Sequence, residues 1–374
     1  MSNNLLLEYG PKGNSKDIND LLTHILDANM EISNFGQKPT PVCIWGTHGL
    51  GKTDMVKEYA NIRNWKFRYI APAQFEEMGD LHGMPYISEA MDGSKQTIYS
   101  APDWVPTEEG PGILLIDDMN RADDRILRGC MQLLQNYELA SWKLPPKWQI
   151  VVTANPEGGD YSVTPMDDAM LTRMIHTTLK FNAKVWAEWA TTAGIDPRGI
   201  SFILTYPELI NTNRTTPRSI TQFFNLIRNI IDLKQNLELI YSLALSSLDE
   251  ITANSFISFI NDDLSTLIEP ADILNATDFN VIKKKIVSLS IDVNGHKRLD
   301  RLSTICTRLY LHLLATSYIP EENHDNNLVS FLLIDEIPND LLLSLYMDLS
   351  KNASDKIKSM LRDKTLAQFL INSM

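Results

Sequence analysis

The sequence has few cysteines: Cys43, Cys130 and Cys306 are the only ones in 374 residues. They lie far apart and none forms a CxxC pair. That argues against a disulfide framework or a zinc knuckle and fits buried thiols in a reducing compartment. Basic residues are the minority, with 34 Lys and Arg against 47 Asp and Glu and a formal net charge of −13. Such a balance gives no overall pull towards nucleic acid or anionic lipid, so neither is expected as a partner, although a local basic groove stays open. No apolar run approaches the ~20 residues that span a bilayer. The opening Met1-Ser2-Asn3-Asn4 lacks the basic flank and apolar core of a leader, and the expected location is the cytoplasm. The seven histidines are scattered, with no HExxH or paired-ligand spacing that would suggest a histidine metal site.

What is present is an ordinary globular composition, 44% hydrophobic and 22% charged. At ~100–200 residues per domain the length predicts two or three domains. Residues 15–30 place Ile18, Leu21, Leu22, Ile25, Leu26 and Met30 at helical spacing, with Ser15 or Asp17 as expected caps. Five short apolar runs follow: Val42–Trp45, Trp65–Ile70, Ile113–Ile116, Ile150–Thr153 and Ile175–Leu179. Apolar runs alternating with helical stretches predict an α/β fold whose five-stranded parallel sheet is covered on both faces. Between Pro85 and Pro102, Tyr86–Ile87, the turn-like Asp92–Gly93 and Thr97–Tyr99 predict an inserted hairpin.

After residue 182 the strand signal stops. The stretches 183–194, 217–231, 234–247 and 254–268 are helix-like, and Pro197, Pro207, Pro217 and Pro270 mark breaks. Leu-rich periodic runs recur at 298–316 and 340–349, around a polar loop at Glu321–Asn327. The expected organisation is an α/β domain over 1–182 with its hairpin near 85–102, a small helical domain over 183–264, and a helical region over 265–374.

The chemistry concentrates at the strand ends. Gly46-Thr47-His48-Gly49-Leu50-Gly51-Lys52-Thr53 matches G-x-x-x-x-G-K-[ST], after an apolar strand and before a helical stretch. Glycines let the backbone turn its N–H groups inward on a polyphosphate, and the following helix adds its positive end. Lys52 is the expected β/γ-phosphate ligand, and Thr53 the expected hydroxyl ligand of Mg²⁺. Gly112–Ile116 runs into Asp117 and Asp118. A strand buried on both faces exposes a charge only at its end. Asp117 is therefore expected to hold Mg²⁺, and Asp118 to position or deprotonate the attacking water. Trp148–Ala154 ends at Asn155, which could bond the γ-phosphate and the water. Arg173 precedes the last strand, and Arg218 follows Pro217 at an expected helix start, where a cation opposes the helix dipole and calls for an anion.

In this order the motifs resemble the AAA+ ATPases over about residues 20–250, and most closely the MoxR-like branch. Leu115-Ile-Asp-Asp-Met-Asn120-Arg121-Ala122 is similar to that branch's second nucleotide motif, and Gly79-Asp-Leu-His-Gly-Met-Pro85 to the segment leading into its insert. The resemblance implies ATP and Mg²⁺ as ligands. It implies Walker A roles for Lys52 and Thr53, a Walker B role for Asp117, and a sensor 1 role for Asn155. Arg173 would be the arginine finger reaching a neighbouring subunit, and Arg218 would be sensor 2 in a helical lid. It further implies a homo-oligomeric, usually hexameric, ring and a chaperone-like remodeller. Such remodellers often act with a partner carrying a von Willebrand factor A-type domain.

Two departures matter. The branch usually has Glu where Asp118 stands, one methylene longer, so either hydrolysis is slow or the strand end shifts to compensate, and nucleotide binding is expected to be little affected. His48 replaces a common Pro and reads as a tolerated loop residue. In the hairpin region, Tyr86, Met91, Tyr99 and Trp104 are either substrate contacts or pins holding the hairpin to the sheet. Two other function classes stay open: a DNA-handling motor or loader, suggested by Lys283–Lys285, Lys297, Arg298 and Arg301, and a non-hydrolysing nucleotide switch, suggested by Asp118.

Overall fold

The computed structural model describes residues 7–366, apart from 90–91, 159–161, 211, 213, 262–267, 292–294, 296, 315–317, 322 and 364–365. Met91 and the expected boundary near residue 265 lie outside the described residues. The chain divides into two compact units, Met1–Phe181 and Asn182–Met374.

The first unit is an α/β layer structure. In chain order it holds β1 (Lys12–Gly13), α1 (Ser15–Ser33), β2 (Val42–Trp45), α2 (Lys52–Ile62) and β3 (Lys66–Ile70). It continues with α3 (Met78–His82), β4 (Met84–Glu89), β5 (Lys95–Ser100), β6 (Gly112–Ile116) and α4 (Asp124–Asn136). Last come β7 (Glu138–Leu139), β8 (Trp142–Lys143), β9 (Trp148–Ala154), α5 (Asp168–Leu171) and β10 (Ile175–Leu179).

The main sheet is parallel, in the order β1-β10-β2-β9-β6-β3. Among the described residues it has six strands where the sequence predicts five. The sixth, β1, is only two residues long, Lys12 and Gly13, too short to show hydrophobic alternation. Alternation along the central strands builds two cores, one on each face of the sheet. Cys43, Trp45, Leu114, Ile116, Ile150 and Val152 face α4 residues such as Leu127 and Leu133. Val42, Ile44, Ile113, Leu115 and Val151 face Ile18, Leu22 and Leu26 of α1 and Val56 of α2. The cap of α1 is Asn14 rather than Ser15 or Asp17. The Asn14 side chain accepts the amides of Lys16 and Asp17, while Asp17 bonds back to the Asn14 amide, a closed capping box.

β4 and β5 form the expected antiparallel hairpin, pairing Met84 with Ser100 through Glu89 with Lys95. A second, shorter hairpin, β7–β8, follows α4 and carries no sequence signal long enough to read. The two hairpins touch where Ser141 Oγ accepts the Tyr99 amide at 3.1 Å, and Trp142 Nε1 donates to the carbonyl of His82, the last residue of α3, at 2.9 Å.

Among its described residues the second unit is built of helices: α6 (Ala183–Thr192), α7 (Pro197–Thr205), α8 (Pro217–Ile227), α9 (Leu237–Ser247), α10 (Glu250–Asn261) and α11 (Pro270–Leu274). It continues with α12 (Phe279–Leu289), α13 (Leu299–Leu314), α14 (His324–Leu332), α15 (Asn339–Asn352) and α16 (Asp355–Met360). Pro197 opens α7 instead of only breaking the chain, because proline at the first helical position lacks only an N–H that has no partner there anyway. Phe202, Phe223, Phe224, Phe256 and Phe259 pack in the centre, with Phe202 and Phe256 edge-to-face at 5.0 Å. The expected polar loop at Glu321–Asn327 is half helix. His324 and Asn327 turn inward on α14, where Nε2 of His324 pairs with Asn275 Oδ1 at 2.6 Å and Asn327 Nδ2 donates to the Leu274 carbonyl at 2.6 Å. Both are polar yet buried, which composition alone reads as surface. Thr205 of α7 and Thr304 of α13 share a buried hydroxyl pair at 3.1 Å, so the later helices pack directly on the earlier ones.

Candidate functional site: the strand ends of the first unit

β2, β9 and β6 lie side by side, and register places Trp45 beside Ala154 and Ile116 beside Val152. Their carboxyl ends therefore open at one edge of the sheet, where ligands of open α/β sheets bind. The loop Gly46–Gly51 leaves β2 and feeds α2. Gly51, the residue before the helix, has φ +85, a conformation that disfavours residues with a Cβ, and offers α2 no side-chain cap. The first-turn amides of α2 are thus left without the side-chain acceptor that usually satisfies them. Gly49 also has positive φ, at +75. Thr47 and His48 are half-buried in the loop, and Leu50 packs against the core beneath α1 and α2.

Lys52 is nearly buried at 6% exposure, and its ammonium turns back into the loop. It donates to the Gly46 carbonyl at 2.7 Å, the Thr47 carbonyl at 3.2 Å and Asn155 Oδ1 at 3.4 Å. Thr53 Oγ1 donates to Asp117 Oδ1 at 2.8 Å. Asn155, fully buried at the end of β9, also donates from Nδ2 to Asp118 Oδ1 at 2.9 Å. One carboxamide thus bridges the ammonium and the second acid. Arg121 Nε lies 3.4 Å from the other Asp118 oxygen. Asp118 adopts φ +46, a backbone conformation that Asp tolerates better than most residues.

Three further residues complete the arrangement, and sequence reasoning misses their roles. Thr153, fully buried on β9, donates to Asp117 Oδ1 at 2.6 Å and accepts the Asp118 amide at 2.8 Å. Asn120 makes a reciprocal pair with the Asn155 backbone, accepting its N–H at 3.0 Å and donating to its C=O at 2.7 Å. Tyr69, on the edge strand β3, offers its hydroxyl to Asp117 Oδ2 at 3.3 Å. Partial burial raises the Tyr69 phenol pKa, and the Asp117 charge adds to the shift, so the hydroxyl keeps its proton. A threonine inside the buried run Ile150–Thr153 is the one sequence clue, because a buried hydroxyl needs a partner.

The structure brings together Lys52, Thr53, Asp117, Asp118 and Asn155. Arg173 is placed elsewhere in the first unit, half-buried after α5, where Nε donates to Gln135 Oε1 at 3.1 Å and the guanidinium also meets the Ala169 carbonyl. Arg218 belongs to the second unit, exposed at the second position of α8 behind the Thr216 cap. Cys43, Cys130 and Cys306 are buried and free, and burial raises all three thiol pKa values. No helix among the described residues is long and apolar enough to cross a membrane.

The donor set fits a polyphosphate with a divalent cation: helix-terminal amides without a side-chain cap, a buried ammonium, and a hydroxyl and carboxylate already in contact. The first unit has a P-loop fold of the AAA+ kind. Residues 41–174 match the family model described as AAA domain (dynein-related subfamily), which spans β2 to the segment just before β10. Among solved structures, a point mutant of Thermotoga maritima RuvB is 14% identical, with 84% of this chain and 95% of that chain covered and a TM-score of 0.41. A provisionally named ATPase from Cytophaga hutchinsonii is 14% identical, covering 93% of this chain and 88% of that chain at a TM-score of 0.31. No curated protein matches.

Proposed function

We propose that the protein is an ATP-binding, ATP-hydrolysing AAA+ ring protein of MoxR type that remodels or activates a partner protein or complex. The observation that carries this reading is the convergence of Lys52, Thr53, Asp117, Asp118 and Asn155 on adjacent strand ends. The α2 amides and Lys52 bind the phosphates, and Thr53 and Asp117 hold Mg²⁺, which neutralises phosphate charge when bound. Asp118 orients or deprotonates the attacking water, and Asn155 holds that water against the γ-phosphate. Catalysis is then mainly positioning and charge stabilisation.

Arg173 acts in trans as the finger, a role its place outside the cluster leaves open to it. Arg218 acts as sensor 2, with 183–264 as the lid and 265–374 as a helical region that docks a partner or stabilises the ring. The exposed hairpin supports the remodeller reading. Met84, Tyr86 and Ile87 are 68%, 48% and 74% exposed. Trp104 and Tyr99 instead serve as pins. Trp104 donates to the Asp80 carbonyl at 3.2 Å and packs edge-on to Trp142, and Tyr99 packs against His82. The assembly is a homo-oligomer, a hexamer by family resemblance, in the cytoplasm, with a partner carrying a von Willebrand factor A-type domain.

The short Asp118 favours a second reading, a non-hydrolysing switch, since Asn155 and Arg121 already occupy both of its oxygens. Light scattering after size exclusion, with and without a slowly hydrolysed ATP analogue and Mg²⁺, tests the reading alongside phosphate release. An ATP-dependent ring with turnover upholds it. A nucleotide-bound monomer without turnover transfers the assignment to the switch. Salt-dependent DNA binding would instead favour a DNA-handling motor.

A further inference from the structure

Asp117 and Asp118 are consecutive, yet they need different orientations, one toward a cation and one toward water. Consecutive side chains leave an extended strand on opposite sides, so alternation alone does not aim both into one site. The chain solves this by ending β6 at Ile116 and turning Asp118 to positive φ. The group that meets both residues at this turn is the Thr153 hydroxyl. Its single proton goes to Asp117 Oδ1, at 2.6 Å, and its oxygen accepts the Asp118 N–H, at 2.8 Å. A hydroxyl has one donor and can accept as well, so one atom serves both contacts. Thr153 is fully buried, which removes bulk water as a competing partner for that hydroxyl. The strand that carries it ends beside Asn155, so the two acids and the carboxamide are set against one rigid element.

We propose that Thr153 is a positioning residue of the nucleotide site: its hydroxyl fixes the Asp117 carboxylate for the cation and holds the Asp118 backbone in the turn that presents its side chain. The inference rests on the ATP-binding reading above. Thr53 and Thr153 both donate to Asp117 Oδ1, which leaves Oδ2, met by the Tyr69 hydroxyl, on the more open side. Thr153 touches neither phosphate nor water in this role and acts through its neighbours.

Thr153→Val keeps the shape and removes the hydroxyl, and Thr153→Ser restores it. Titration calorimetry with a slowly hydrolysed ATP analogue, with and without Mg²⁺, reads the cation contribution apart from turnover. In Thr153→Val the Mg²⁺-dependent gain in affinity should shrink at least fivefold, affinity without Mg²⁺ should stay within twofold, and kcat should drop at least tenfold. Thr153→Ser should return all three to within threefold of the unaltered chain. An unchanged Mg²⁺-dependent gain in Thr153→Val overturns the proposal. So does an equal loss with and without Mg²⁺, which marks a packing role only. Should the valine variant not fold, as judged by its melting transition, Thr153→Cys, a weak donor of similar size, carries the same comparison. No analogue binding by the unaltered chain overturns the ATP-binding reading itself, and this inference with it.

Discussion

Lys52 illustrates how a single charged group is kept ready in a nearly dry place. Its ammonium donates to two loop carbonyls and Asn155. These three acceptors are neutral dipoles, and an incoming phosphate brings a full opposite charge to a place of low solvent exposure. Lys52→Ala should therefore weaken ATP binding by more than tenfold in calorimetry, and retained tight affinity would remove the phosphate-loop assignment. Asp118 shows the complementary case. It is the shorter acid, and Asn155 and Arg121 come to it. Asp118→Glu extends the carboxylate by one methylene, and turnover measured by phosphate release should be preserved or raised. A collapse would mean that the surrounding groups are built around the shorter side chain. The reciprocal Asn120–Asn155 pair explains why Asn155 can bridge in both directions without wandering, since both its backbone groups are already bonded.

Elements begin and end where local chemistry permits, and several of these points were not readable as such. Asn14 wins the cap of α1 because its side chain reaches two amides, whereas Ser15 already lies inside the helix. In the second unit Asp249 plays the same part for α10, accepting the Thr252 amide at 2.9 Å while Thr212 and Thr215 donate their hydroxyls. Partial burial pushes the Asp249 pKa up, but the donated hydrogen bonds outweigh it and the net shift is downward. A carboxylate depressed in the folded state contributes stability that is present above the ordinary value of about 3.9 and lost as pH falls through its folded value. Thermal unfolding of Asp249→Asn should thus show a loss of stability relative to the unaltered chain at neutral pH, with the gap closing at pH values below about 4. A gap independent of pH would show that the carboxylate charge contributes nothing.

At the scale of the molecule, the chain makes two units, and the proposed chemistry asks for more than one copy. Arg173 bonds Gln135 at one end of its guanidinium within its own unit and does not join the strand-end cluster. If it serves a neighbour, Arg173→Ala should abolish turnover while leaving ATP affinity within threefold. Unchanged turnover in the assembled protein would remove the trans role. The strand-end cluster was legible in the sequence because its pattern is local: glycines, a lysine and a helix start follow one another in a fixed order, and acids stand where apolar runs stop. Three of the five long strands, β2, β6 and β9, were legible for the same reason, being largely apolar runs, whereas β3 and β10 mix polar with apolar residues and were legible only by their place between helical stretches. The two-residue β1, the β7–β8 hairpin, the inward turn of His324 and Asn327, and the shared hydroxyl of Thr153 were not. Most of these depend on a partner far along the chain, Thr178 for Lys12, Asn275 for His324, Asp117 for Thr153. Local sequence determines which groups the chain carries and the order in which strands, loops and helices follow. Only packing decides which buried polar groups meet, because a hydrogen bond between distant residues is set by sheet order and register rather than by the neighbours of either residue.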